Sequence, residues 1–263
     1  MNSEYQQQYG QWALVTGAAE GLGAEFARQL AERGLDVLLA DVQLEKAQSQ
    51  AQQLRDQYRV DAQAISCDLA DTDFMAQLSA QTAGRDIGML VCCAGIGATG
   101  EFLSCSLESM RRAVQINCMA TMELVYQYAP AMVERRRGGI IIIASNAGYA
   151  GAPYIANYSG TKAYDLCLAE GLWYELGEYG VDVLGFAPQG TNTPGYRRGS
   201  PSVNEGEHHE SLMLPSTAVE LALGKLGVMA SFRPDMPEAF SLERQKILKV
   251  AGDFTRTLAN HQG

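Results

Sequence analysis

The chain has 263 residues, 47% of them hydrophobic, which suits one α/β domain with a sizeable core. With 30 acidic and 20 basic residues, the formal net charge of −10 argues against nucleic acid or an anionic membrane surface as the main partner. Six cysteines without CxxC or metal-ligand spacing predict no metal site and a reducing compartment.

The N-terminus is polar and rich in glutamine, without the basic start and apolar stretch of a signal peptide. No run approaches the roughly 18 apolar residues that a membrane span needs. We therefore expect a cytoplasmic protein without a membrane span.

Short, nearly continuous apolar runs recur along the chain, separated by amphipathic stretches. Continuous apolarity is typical of strands buried on both faces, as in parallel sheets. The predicted strands are residues 12–16, 36–40, 62–67, 89–93, 140–144, 181–187 and, more weakly, 228–232.

Helix patterns lie between these runs. Leu44, Ala47, Ala51, Leu54 and Tyr58 share one helical face, and longer helices are predicted over 107–136, 156–178 and 242–258. The alternation predicts a doubly wound, Rossmann-type α/β fold of about seven parallel strands with helices on both faces. We expect a single domain over 1–263, with a loop that covers the substrate at about 191–215 and a helical extension at about 234–260.

The first predicted strand runs into Thr-Gly-Ala-Ala-Glu-Gly-Leu-Gly at residues 16–23, and a helix pattern follows. Glycines let the backbone approach a pyrophosphate, and the helix N-terminus offers it free N–H groups. In this position the loop predicts a dinucleotide site.

Asp41 follows the second strand, where a carboxylate can accept hydrogen bonds from the adenosine ribose hydroxyls and repel a 2′-phosphate. Glu20, not a basic residue, precedes Gly21, so the charges predict NAD. Asp41 can also cap the next helix, and both roles can hold together.

Tyr158 and Lys162, at i and i+4, face the same side of a predicted helix. A nearby ammonium stabilises a phenolate, which makes tyrosine a usable acid and base. Ser145 ends a buried strand at the carboxyl edge, where α/β sites form, so its hydroxyl can hold a substrate oxygen.

Together these residues resemble the short-chain dehydrogenase/reductase family from residue 12 to about residue 193. The family's TGxxxGxG matches residues 16–23, its YxxxK matches Tyr158 to Lys162, and its serine matches Ser145. Its helical asparagine matches Asn117, and its aspartate after the third strand, which contacts adenine, matches Asp68.

The resemblance implies that Tyr158 exchanges the substrate proton, Ser145 holds the substrate oxygen, Lys162 stabilises the phenolate and binds ribose, and Asn117 anchors a water. The implied cofactor contacts are Gly17, Glu20, Gly21, Leu22, Gly23, Asp41, Val42, Asp68, Leu69, Cys93, Ala94, Gly95, Tyr158, Lys162, Pro188, Gly190, Thr191 and Thr193. The expected substrate contacts are Ser145, Tyr158, Gln189, Tyr154 and Tyr196.

Three features depart from the family pattern. Its NNAG reads Cys92-Cys93-Ala94-Gly95, which removes amides that brace the strands, and its Pro-Gly reads Pro188-Gln189. The chain also continues past Phe232 into a helix pattern, where many members end in a strand and Gly-Gly, which puts the usual tetramer contact in question.

The expected reaction is hydride transfer between NAD(H) and a bulky, largely apolar secondary alcohol or ketone, steroid-like or of acyl type. The alternatives are a catalytically silent, NAD-binding sensor or scaffold and a non-redox enzyme of this fold. In the loop, Leu212, Met213 and Leu214 form an apolar edge, whereas Arg197, Arg198, His208 and His209 can meet an anionic tail.

We also expect a homodimer or homotetramer that pairs the helices 107–136 and 156–178. Their surplus apolar residues are Met119, Met122, Leu124, Leu168, Leu172 and Trp173. A second stripe, Ile247, Leu248, Ala251, Phe254 and Leu258, is predicted either to pack on its own subunit or to form an interface.

Overall fold

The computed structural model describes residues 3–199 and 212–260. Within them a single parallel sheet has the strand order β3-β2-β1-β4-β5-β6-β7. The strands are Trp12–Thr16 (β1), Asp36–Asp41 (β2), Ala62–Ser66 (β3), Ile87–Cys92 (β4), Gly138–Ile143 (β5), Val181–Phe186 (β6) and Ser231–Phe232 (β7).

Helices connect the strands and cover both faces of the sheet. They are Glu4–Tyr9 (α1), Gly21–Glu32 (α2), Leu44–Tyr58 (α3), Phe74–Thr82 (α4), Leu107–Val114 (α5), Ala120–Arg135 (α6), Ala156–Gly177 (α7), Pro194–Gly199 (α8), Pro215–Lys225 (α9) and Glu238–Asn260 (α10). The predicted fold class, a Rossmann-type doubly wound sheet in one domain, is confirmed.

The core has two layers, one on each side of the sheet. On one side α2, α3 and α9 bury side chains such as Phe26 and Ala218 against Val15 and Leu39. On the other side α4, α6 and α7 pack on the opposite residues of the same strands, including Leu14. Burial on both faces is the physical reason that these strands read as continuous apolar runs.

The helix predicted over 107–136 contains a π-helical turn, Gln115–Met119, between α5 and α6. Such single turns occur often at functional sites, and this one carries Asn117. The last helix begins at Glu238, four residues earlier than the apolar pattern indicates. No described helix combines the length and the apolarity that crossing a bilayer requires.

Candidate active site

The predicted site residues gather at the carboxyl ends of the strands, around the point where the strand order reverses between β1 and β4. Ligands of open α/β sheets bind at such switch points because the loops from two neighbouring strands diverge there. Three parts meet at this edge: the glycine loop after β1, the predicted catalytic side chains just after β5 and on α7, and the segment after β6.

The glycine loop has the backbone of an anion site. Gly17 and Gly21 have φ of +66° and +62°, and a Cβ on Gly23 would lie 2.1 Å from the Gly17 carbonyl oxygen. The helix α2 begins at Gly21 without a side-chain cap, since the Glu20 side chain makes no capping hydrogen bond. The N–H groups of the first turn are therefore open to a pyrophosphate, so this loop fits a dinucleotide.

Asp41 ends β2 beside this loop, and its side chain is buried. The carboxylate accepts hydrogen bonds from the Ala19 N–H at 2.9 Å and from the Gln43 N–H at 2.8 Å. The N-cap of α3 is Gln43, so the prediction that Asp41 can cap that helix is wrong. Each carboxylate oxygen has a further lone pair for a ribose hydroxyl.

Two cations contact the glycine loop, and inspection of the local sequence missed both of these contacts. Lys46 Nζ lies 3.1 Å from Glu20 Oε2, and Arg198 of α8 forms an ion pair with the other oxygen of Glu20. These cations hold the pKa of the Glu20 carboxyl below its usual value, Arg198 most strongly and against the opposing effect of burial. They come from 26 and 178 residues further along the chain, so only the fold reveals them.

Asp68 follows β3 and is paired with Arg112 of α5, at 2.8 and 3.0 Å between Nη2 and the two carboxylate oxygens. One of those oxygens also accepts from the Ala70 N–H at 2.9 Å. Leu69 beside it is buried, whereas Val42 after β2 is exposed. This arrangement fixes the Asp68 carboxylate just after the carboxyl end of β3.

The end of β4 is braced although the family's amides are missing. The Thr16 hydroxyl accepts from the N–H groups of Cys93 at 3.1 Å and Ala94 at 3.2 Å, which ties β4 to β1. Burial raises the pKa of the Cys93 thiol to about 12, so the thiol stays neutral. The threonine of the glycine-loop motif therefore joins the end of β4 to β1 without those amides.

Asn117 is fully buried on the π-helical turn. Its side chain exchanges two hydrogen bonds with the backbone of Ile96, at 2.9 and 2.8 Å, and donates a third to the Thr161 hydroxyl at 2.9 Å. It therefore joins the loop after β4 to the helix α7, which carries the predicted acid and base.

Ser145 and Tyr158 face the site from two elements. Ser145 follows β5, and its hydroxyl accepts from the Ala147 N–H at 3.2 Å and donates to Asn146 Oδ1 at 3.3 Å. The Tyr158 ring lies against Gly97, where a Cβ would come within 2.7 Å of ring atom Cδ2. Both side chains are partly exposed, as groups that meet a substrate must be.

The Nζ of Lys162 lies 6.0 Å from the centre of the Tyr158 ring. The ammonium is buried and donates to the Ile143 carbonyl at 2.7 Å and to Asp165 Oδ2 at 2.9 Å. Burial lowers the pKa of Lys162. The nearby Asp165 and Tyr158 raise this pKa by more than burial lowers it, so the group is an ammonium. The sequence reasoning missed Asp165.

The segment after β6 folds back onto the glycine loop. Thr191 pairs with Met213 in a short parallel bridge, and Thr193 packs against Gly21, within 3.2 Å of where a Cβ would lie. The Tyr196 hydroxyl approaches Gly190 just as closely. Of the cofactor contacts predicted in this segment, Thr193 thus lies against the glycine loop.

The remaining predicted substrate contacts differ in their placement. Gln189 is half-buried beside Pro188, whereas Tyr154 is 62% exposed with a φ of +65°, and Tyr196 is on the exposed helix α8. Met213 is half-buried and Leu214 exposed. The predicted anion contacts His208 and His209 lie outside the described residues.

A glycine loop and a Ser–Tyr–Lys set that converge on a Rossmann switch point define a nicotinamide-dependent oxidoreductase. The model of the family "short chain dehydrogenase" matches residues 11–202. The chain therefore belongs to the short-chain dehydrogenase/reductase family.

Two curated relatives illustrate the similarity. A 7beta-hydroxysteroid dehydrogenase from Clostridium sardiniense is 27% identical over 254 residues, which cover 94% of this chain and 97% of the relative. A very-long-chain 3-oxoacyl-CoA reductase from Podospora anserina is 34% identical over 180 residues, or 66% of this chain and 53% of the relative.

Solved structures agree with the fold. A short-chain dehydrogenase from Sphingobium yanoikuyae in complex with NADPH superposes with a TM-score of 0.80 at 28% identity, covering 91% of this chain and 95% of that one. A 3-oxoacyl-[acyl-carrier protein] reductase from Brucella melitensis with bound NAD superposes with a TM-score of 0.70 at 28% identity. The match covers 81% of this chain and 82% of that one. The neighbours therefore show both cofactors.

Proposed function

We propose that this chain is an NAD-dependent dehydrogenase/reductase that interconverts a secondary alcohol and a ketone. The observation that carries the proposal is the placement of Ser145, Tyr158 and Lys162 at the carboxyl edge of the sheet, beside the open N-terminus of α2. A silent, NAD-binding scaffold has no need of this set.

The proposed mechanism assigns each side chain one task. The Ser145 hydroxyl donates to the carbonyl oxygen or accepts from the alcohol, and Tyr158 gives or takes the proton at that same oxygen. The Lys162 ammonium stabilises the phenolate and meets the ribose, while Asn117 anchors a water. When bound, the nicotinamide supplies or accepts the hydride.

NAD is the proposed cofactor. Asp41 places a carboxylate where the adenosine ribose would lie, Glu20 adds a second negative charge, and the residue after Asp41 is the uncharged Val42. Lys46 and Arg198 also reach this loop, but Glu20 pairs with both of them. A 2′-phosphate would therefore meet the Asp41 carboxylate, with both of these cations already engaged.

The proposed substrate is bulky and largely apolar, either steroid-like or of acyl type. A small cleft at the start of α7 is lined by Asn157 and by apolar or aromatic side chains, including Ala98, Phe102, Met110 and Tyr154. Apolar and aromatic side chains in such walls favour this kind of substrate over a polyol. The two relatives described above act on a hydroxysteroid and on a very-long-chain oxoacyl thioester, by their names.

The test is a turnover screen in which the absorbance of reduced nicotinamide is followed with NAD and with NADP. We expect kcat/KM for a hydroxysteroid or a long-chain hydroxyacyl compound to exceed that for a sugar alcohol. A preference for the sugar alcohol would contradict the substrate assignment, and no turnover of any alcohol or ketone would favour the silent alternative.

A further inference from the structure

Asp165 is a buried carboxylate at the reacting centre that the proposed mechanism does not use. It lies on α7, three residues beyond Lys162, and is 1% exposed. Its Oδ2 is 2.9 Å from Lys162 Nζ, whereas its Oδ1 is buried without a hydrogen-bond partner among the described residues. Burial of a carboxylate is costly, so the paired ammonium is what keeps it there.

The carboxylate fixes the direction of the lysine side chain. An ammonium has three donors, and two of them are engaged by the Ile143 carbonyl and Asp165. Nζ also lies 3.3 Å from where a Cβ on Gly95 would be, on the side where the nicotinamide ribose is expected. One donor is therefore left for the ribose and for the tyrosine side of the site.

The carboxylate also changes the charge that Tyr158 experiences. Of the titratable groups around Lys162, burial raises the pKa of the thiols Cys92, Cys93 and Cys118, so they are neutral. Tyr164 is a neutral phenol whose pKa burial also raises. Asp41 lies further off, beyond Cys93, and contacts the glycine loop.

Asp165 is thus the anion in contact with the ammonium. Burial raises the pKa of its carboxyl, and Lys162 opposes that rise. Within this buried pair the two charges largely cancel, so the lysine stabilises a neighbouring phenolate less than a lone ammonium would.

We propose that Asp165 is a positioning residue which holds Lys162 toward the β5 carbonyl and offsets its charge, so that Tyr158 remains a phenol, the proton donor for ketone reduction, to higher pH. This inference rests on the proposed function, since it requires Tyr158 to be the acid and base. It predicts that the rate of ketone reduction persists to higher pH than it would without this carboxylate.

The test is the isosteric variant Asp165→Asn. The pH–rate profile of kcat for alcohol oxidation should move to lower pH by about one unit, the low end of the 1–3 units by which a nearby charge moves a titration. The affinity for NADH, read from nicotinamide fluorescence, should fall several-fold because Lys162 is no longer held in place. The variant Asp165→Glu, which keeps the charge, should restore most of the wild-type profile.

The matched control is Glu170→Gln. Glu170 is also a buried carboxylate on α7, but its partners are Arg244 and Ser231, away from the tyrosine. This variant should lower the melting temperature and leave the pH profile in place. Equal shifts in the two variants, or an unshifted Asp165→Asn profile, would overturn the proposal.

A readout without turnover separates this inference from the proposed function. The ultraviolet phenolate signal of Tyr158 is obtained as the difference between each protein and its Tyr158→Phe counterpart. Its midpoint should be lower in Asp165→Asn than in wild type. A shifted midpoint in a protein that turns over no alcohol would reject the proposed function alone, whereas an unshifted midpoint in an active enzyme would reject the role of Asp165.

Discussion

At the scale of single residues, the site depends on side chains whose exposure matches their tasks. Tyr158 and Ser145 are partly exposed, whereas Lys162 and Asn117 are buried and held by two or more hydrogen bonds each. Groups that meet the substrate are therefore free to move protons, and groups that orient them are fixed.

The change Tyr158→Phe should lower kcat by about 10²–10⁴-fold, the usual cost of losing a positioned acid or base. The dissociation constant of NADH should change little, because the ring still packs on Gly97. The matched control is Tyr164→Phe, a partly exposed tyrosine on the same helix. Near-normal turnover of the Tyr158 variant would remove this residue from the mechanism.

The change Asp41→Ala should relax the preference for NAD over NADP, measured as the ratio of the two kcat/KM values. A hydrogen bond to a charged group contributes about 1.5–3 kcal/mol, and the variant loses the ribose bonds together with the repulsion of the phosphate. Asp36→Ala, at the opposite end of the same strand, is the control. A wild type that uses both cofactors equally would contradict the charge argument.

At the scale of elements, the strands were predictable because a parallel sheet buries both faces and so requires unbroken apolar runs. The first helix α1 was not predicted, because its sequence is polar and only Tyr9 is buried. Its signal was the capping box between Ser3 and Gln6, which satisfies two backbone N–H groups at the helix start.

The parts of the site that sequence motifs missed are contacts between distant segments. Thr16 with Cys93, Glu20 with Arg198 and Arg112 with Asp68 join residues that lie 44 to 178 positions apart. No local pattern encodes such pairs. Asp165, by contrast, lies three residues after Lys162, and a charged residue on a helix face that is otherwise buried was the available signal.

The terminal helix α10 is attached to α7 by charges. Arg244 donates to both oxygens of the buried Glu170, at 2.6 and 2.8 Å. Arg244→Met should lower the free energy of unfolding by about 1–3 kcal/mol, because it leaves a buried carboxylate with only Ser231 as its partner. Urea unfolding measures this change.

Lys246→Met is the control for this variant, because Lys246 pairs with Glu243 on the exposed side of the same helix. Exposed pairs contribute about 0–1 kcal/mol. If both variants lower the free energy of unfolding by the same amount, the buried carboxylate does not hold α10 in place.

At the scale of the whole molecule, apolar side chains remain at the surface of this chain. On the long helices these include Met119 and Met122, with Tyr126 84% exposed. Leu124, also predicted to face a partner, is 1% exposed and belongs to the core, so that expectation is wrong. Leu168, Leu172 and Trp173 are half-buried against the same core.

On α10, Ile247, Val250 and Phe254 are exposed and line one open surface. Of the predicted stripe, Ile247, Ala251 and Phe254 are thus not packed on their own subunit, whereas Leu248 is half-buried and the Leu258 side chain lies outside the described residues. The opposite side of the helix contacts α7, through Gly252 against Tyr174 and Arg256 with Glu178.

We propose a homodimer through α6 and its neighbouring helices. Sedimentation velocity at micromolar concentration should give a dimer, and Tyr126→Glu should shift it toward the monomer by burying a charge in the interface. The exposed Tyr179, at the far end of α7, provides the control Tyr179→Glu. A monomeric wild type would refute this assembly.

Thr193 contacts Gly21, and Arg198 forms an ion pair with Glu20. The segment after β6 is therefore joined to the glycine loop. Under the proposed function, the same residues border both the substrate and the cofactor. A protein engineer who wants to alter the substrate range could exchange residues 191–199 for those of another family member. That exchange would also replace the residues that contact the glycine loop. A successful graft has to include a matching residue at position 20.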